Sequence, residues 1–76
     1  MKTKYVKIHD IDDVSTFIDL ATKVDGDVVC HRGRFAVDAA SVMGVMSIGV
    51  SGGITVEYPD DATELDIFLD NFIEGA

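Results

Sequence analysis

The spacing of apolar and polar residues changes several times along the chain. Tyr5-Val6-Lys7-Ile8-His9 alternates with the two-residue period of a strand that buries one face, and it ends in aspartates. Val14, Phe17, Ile18, Ala21 and Val24 then recur at helical spacing, which predicts an amphipathic helix over about 13–24. Asp12 or Asp13 suits its N-cap, and Asp25-Gly26-Asp27 suits its end. The β-rich runs 27–32 and 34–38 flank Arg32-Gly33, which predicts a tight hairpin. Its alternation places Phe35 and Val37 on one face and Ala36 and Asp38 on the other.

Ser41 is a good N-cap and Gly49 a suitable stop, so the stretch between them is read as a short helix. After Ser51-Gly52-Gly53, the run Ile54-Thr55-Val56-Glu57-Tyr58 predicts a strand ended by Pro59-Asp60-Asp61. Leu65, Phe68, Leu69, Phe72 and Ile73 form the apolar stripe of a final helix, with Glu64, Asp66 and Asp70 on its solvated side. The order is βαββαβα. A four-stranded antiparallel sheet covered on one face by three helices satisfies it, an α+β fold.

Composition narrows the function classes. A chain of 76 residues is read as one domain spanning 1–76 with one core, too small for an extensive active-site cleft. Fourteen acids against six bases give a net charge of −8, which makes nucleic acid and anionic membranes poor partners. Cys30 is the single cysteine, so neither an intrachain disulfide nor a thiolate metal cage is expected. Cys30 and His31 are neighbours on a strand and point to opposite faces, which disfavours shared ligation. No metal or cofactor is expected. The N-terminus lacks the apolar stretch of a signal peptide and no run suffices to span a membrane, so a cytoplasmic location is expected.

Residues 37–50 carry a more specific signal. Ser41-Val42-Met43-Gly44-Val45-Met46-Ser47-Ile48-Gly49 resembles the segment around the regulatory serine of HPr, the small histidine phosphocarrier of the bacterial sugar phosphotransferase system. The Ser-x-Met-Gly-x-Met-Ser-x-Gly spacing is kept without a gap, and the order of elements matches along nearly the whole chain. The resemblance implies that family's open-faced β-sandwich. It also implies regulatory phosphorylation at Ser41 and protein docking through Val42, Met43 and Met46.

The family's other motif is missing. HPr carries Gly-(Ile/Leu)-His-x-Arg-Pro-Ala at the start of its first helix, where the histidine accepts phosphate and the arginine pairs with it. Alignment on Phe17 puts Asp10 at the histidine, Asp12 at the arginine and Asp13 at the proline. His9 lies one position early and is the weak candidate phosphoacceptor, without arginine or proline beside it. Aspartates at a helix start stabilise the helix but repel an incoming phosphoryl group.

The expected function is therefore a non-enzymatic HPr-like module that docks to phosphotransferase-system enzymes, an HPr-kinase-like enzyme or a transcriptional regulator. One alternative is an active phosphocarrier using His9 in a remodelled site. The other is a small-molecule-sensing domain of the ACT type.

Overall fold

The computed structural model describes residues 1–41 and 52–73. Strand β1 spans Lys2–Val6, helix α1 Ile11–Lys23, β2 Val29–Arg32, β3 Phe35–Asp38, β4 Ile54–Tyr58 and helix α2 Thr63–Leu69, followed by a 3₁₀ turn over Asp70–Phe72. The short helix expected from Ser41 lies outside the described residues, as do Val42, Met43 and Met46. The four strands form one antiparallel sheet in the order β1-β4-β2-β3.

The register places Lys4, Val56, Cys30 and Val37 side by side on one face. That face, with Val6, Ile54 and Tyr58, meets Val14, Phe17, Ile18 and Ala21 of α1 and Leu65 and Leu69 of α2 in the core. The opposite face carries Tyr5, Thr55, His31 and Ala36 in one row. His31 is partly exposed there, with Nε2 3.6 Å from Glu57 Oε1. Cys30 is fully buried, a small apolar side chain of the core.

Three boundaries differ from the sequence pattern, the first and third because pairing between distant segments outweighs local spacing and the second because a local cap sets the helix start. The first strand begins at Lys2 rather than Tyr5, since Lys2, Thr3 and Lys4 each have a partner in β4. Helix α1 starts at Ile11, earlier than its apolar stripe suggests. The final α-helix stops at Leu69 instead of continuing through Ile73. The chain tightens there so that the Lys7 amide donates to the Phe72 carbonyl at 3.1 Å and Ile73 bridges Val6. Phe68 and Phe72 are consequently only half-buried, their ring centroids 4.9 Å apart.

The β2–β3 loop contains two residues, Gly33 and Arg34, between the paired Arg32 and Phe35. Gly33 has φ +59° and Arg34 keeps φ negative, the signs of a type II′ turn, whose twist suits adjoining strands. Phe35 shares the alternation of Val37, yet it stands at the end of an edge strand and is 71% exposed. At Gly53, with φ +98°, a Cβ would lie 2.1 Å from the Tyr5 hydroxyl oxygen, so only glycine fits beneath that ring.

Candidate functional site

The end of β1 and the start of α1 bring His9, Asp10, Asp12 and Asp13 together. Asp10 is the N-cap, with extended backbone at φ −85° and ψ 133°. Its side chain accepts from the Asp12 amide at 2.9 Å, and its carbonyl accepts from the Val14 amide at 3.0 Å. Asp10, rather than Asp12 or Asp13, is thus the residue that satisfies the helix start. An extended N-cap whose carboxylate reaches the second amide of the helix is the usual solution for orphan donors.

This geometry has a chemical consequence. A helix N-terminus attracts anions through its free amides and its dipole. Here a fixed carboxylate already takes the Asp12 amide, and Asp12 and Asp13 add two acids in the first turn. Among the described residues, no lysine or arginine forms an ion pair with Asp10, Asp12 or Asp13. His9 is exposed and precedes the cap, outside the first turn of the helix.

Ser41 lies at the other side of the candidate region, just beyond β3. It is exposed, and its amide donates to the Asp38 carbonyl at 3.0 Å. The Asp38 carboxylate accepts from the Ala40 amide at 2.8 Å, an Asx-type turn that fixes the approach to Ser41. The serine is therefore presented on an ordered turn with an acid three residues before it.

A second polar cluster escaped the sequence pattern. Lys4 points to the core face of β1, in line with Val6, and its ammonium meets Asp66 Oδ1 at 2.8 Å, the Asp66 carbonyl at 3.2 Å and the Asp70 carboxylate. The buried Tyr58 donates its hydroxyl to Asp66 Oδ1, and Lys2 Nζ lies 3.7 Å from Asp66 Oδ2. Asp66 and Asp70 are thus the closure of α2 onto the sheet, not a solvated helix face. The bonds from Lys4 and then Tyr58 hold the Asp66 carboxyl down to about 2. Burial, reinforced by the bond to Asp66, pushes the Tyr58 hydroxyl up to about 12. Partial burial works against the Lys4 charge, but its bonds to Asp66 and Asp70 outweigh that and raise its pKa. The i,i+4 spacing of Asp66 and Asp70 was the available signal. Their cation, 62 residues away from Asp66, was not.

Cys30 is no nucleophile in this setting: burial, with the Asp38 charge adding to it, pushes the thiol up to about 12. No described group of three or more His, Cys, Asp or Glu residues is arranged to hold a metal ion.

No protein-family model and no curated protein matches the chain. Solved structures do. HPr-C-His from Thermoanaerobacter tengcongensis is 27% identical, with 97% of this chain and 92% of that one covered at a TM-score of 0.75. The chain is HPr-like, with the fold of those phosphocarriers along nearly its whole length. The phosphocarrier protein HPr from Bacillus anthracis str. Ames has the same fold at 22% identity, with 93% and 95% covered and a TM-score of 0.66. This HPr-like protein has the open antiparallel sheet and helical layer of those neighbours, which leaves an ACT-type sensor without structural support. The His-x-Arg-Pro motif expected of that family does not occur at the head of α1, where this chain carries Asp10, Asp12 and Asp13.

Proposed function

We propose that this HPr-like protein is a docking and regulatory module of the sugar phosphotransferase system that does not carry phosphohistidine and has no catalytic activity of its own. The observation that carries the reading is the Asp10 carboxylate bonded to the Asp12 amide. A carrier needs that helix start open to a phosphoryl group and furnished with a cation. In this protein the amide is occupied and the neighbouring charges are negative.

Docking then falls to the serine segment. Ser41 is the proposed site of regulatory phosphorylation by an HPr-kinase-like enzyme, with Val42, Met43 and Met46 as the apolar contact surface. Support comes from the unbroken Ser-x-Met-Gly-x-Met spacing and from the exposure of Ser41 on a fixed turn. A phosphate there adds a local charge of about −2 beside apolar side chains, enough to change which protein binds without refolding the domain. The partners are phosphotransferase-system enzymes or a transcriptional regulator, and the compartment is the cytoplasm. No described helix is long and apolar enough to cross a membrane.

The test is incubation with phosphoenolpyruvate and the general phosphotransferase enzyme, followed by intact-mass measurement at alkaline pH, where phosphohistidine survives. No mass gain is expected. A stoichiometric gain that disappears in His9→Ala would replace this reading with that of an active carrier. A parallel incubation with HPr kinase and ATP is expected to label the wild type and not Ser41→Ala. Absence of label in both would remove the serine from the proposal.

A further inference from the structure

Away from the candidate site, two surface features have complementary shape and charge. The first is a groove of about 310 Å³ between the end of α1 and the start of α2. Half-buried Leu20 and Val24 and the buried Leu65 give it an apolar floor. Asp25, Asp61 and Glu64 stand on its rim against a single cation, Lys23. The second is the β2–β3 hairpin tip, where exposed Arg34 adjoins Phe35, the most exposed large apolar side chain described.

Topology keeps the two apart. The register pairs Val29 with Glu57 and His31 with Thr55, so the tip after Arg32 lies at the Ile54 end of β4. The groove lies beyond the Tyr58 end, where a Cβ on Gly26 would come 3.1 Å from Pro59. The five residues of β4 span about 13 Å between those ends. A copy cannot fill its own groove with its own tip.

We propose that the hairpin tip of one copy docks in the groove of a second copy, with Phe35 on the apolar floor and Arg34 facing the carboxylates of the rim. The argument for this occupant is charge complementarity. In a chain of net charge −8, the tip is an aromatic residue adjoining an arginine, and the groove is apolar with an acidic edge. Because tip and groove lie at opposite ends of the sheet, one contact leaves a free tip and a free groove, and copies add head-to-tail into short open chains. One hairpin tip buries less than the roughly 1,200 Å² of a standard interface, so the association is weak and grows with concentration.

The experiment is sedimentation velocity with amide NMR over a dilution series from about 10 μM to about 1 mM, a range suited to weak contacts. Mass is expected to rise above the 8.2 kDa monomer, with shifts confined to residues 33–35, 20–25 and 61–65. Phe35→Ala and Glu64→Lys, both at exposed positions, are each expected to abolish the rise while keeping a folded spectrum. Mixing the two variants restores one contact, between the intact tip of Glu64→Lys and the intact groove of Phe35→Ala, and stops at the dimer. A chain that stays monomeric throughout, shifts located elsewhere, or association that survives Phe35→Ala would overturn the proposal.

Discussion

At the head of α1, Asp10, Asp12 and Asp13 face helix amides and solvent, whereas Asp66 of α2 and Asp70 of the following turn close on Lys4 and Tyr58. The residue type is the same and the electrostatics are opposite. In the second cluster a partly buried cation ties together the first strand and the last helix, distant in sequence. In the first, among the described residues, the charge meets the partial charges of the helix terminus and no paired lysine or arginine. Acids that hold the fold are matched by a lysine and a tyrosine; among the described residues, those at the head of α1 have no cation paired with them. The contrast teaches that an HPr-like framework can carry an acidic helix head without a paired cation, while its other acids hold the sheet and helices together.

Breaking the matched cluster has the largest expected effect. Lys4→Met leaves Asp70 without its ammonium and Asp66 with Lys2 at 3.7 Å, and should cost about 1.5–3 kcal/mol, the range for hydrogen bonds to charged groups. In a domain of this size each kilocalorie lowers Tm by about 4–8 °C. Adding Asp66→Asn to that variant should recover part of the loss, because the carboxylate that lost its nearer lysine is then gone. An unchanged urea midpoint for Lys4→Met would show that the cluster contributes nothing to the fold.

The same cluster sets the pH response. Asp66 has a carboxyl pKa lowered in the fold from 3.8 to about 2, so its stabilisation is full above that ordinary value and is lost as pH falls through the folded one. Tyr58 and Cys30 are raised in the fold from 10 and 9 to about 12. Their contributions are full below those ordinary values and disappear as pH rises toward 12. Melts across pH should therefore fall at both extremes, and Tyr58→Phe should flatten the alkaline side. Lys4→Met should flatten the acid side, because the Asp66 carboxyl then loses the largest cause of its lowered pKa. An acid side equally steep in Lys4→Met and wild type would show that the cluster does not set the pH response.

How much of this was legible in the sequence follows the same division. The stripes Val14-Phe17-Ile18-Ala21 and Leu65-Leu69 were readable because helical burial is periodic and local. The hairpin was readable from one glycine. The start of β1 was not, since Lys2-Thr3-Lys4 has no apolar residue and is a strand only through β4. The cap was misread as Asp12 or Asp13, because the apolar stripe begins only at Val14; backbone geometry gives Asp10. The change of the phosphate site was visible as missing residues, but its physical form, a carboxylate on the Asp12 amide, needed coordinates. Lys4 is too far from Asp66 in sequence for spacing to have revealed their pairing.

The head of α1 permits a finer separation. Asp10→Ala should cost about 1 kcal/mol through loss of the cap, and Asp10→Asn much less, since the amide oxygen still accepts.

The smallest effects on stability are expected from Asp12→Asn and Asp13→Asn. Each removes a favourable interaction with the helix dipole worth about 0.3–1 kcal/mol, and each also relieves repulsion from the other two carboxylates. The two contributions oppose, so Tm should barely move. The outward field behaves differently, because both substitutions remove negative charge from the same surface and their effects on it add. Association with an acidic protein face should therefore accelerate in the double variant, most strongly at low salt, where screening is weakest. Stopped-flow association with the general phosphotransferase enzyme across ionic strength measures this directly. An on-rate and salt slope equal to wild type would mean that these aspartates serve the helix alone. A faster, more salt-independent encounter with unchanged stability would mean that the same charges that replace the phosphate site also keep an acidic partner away.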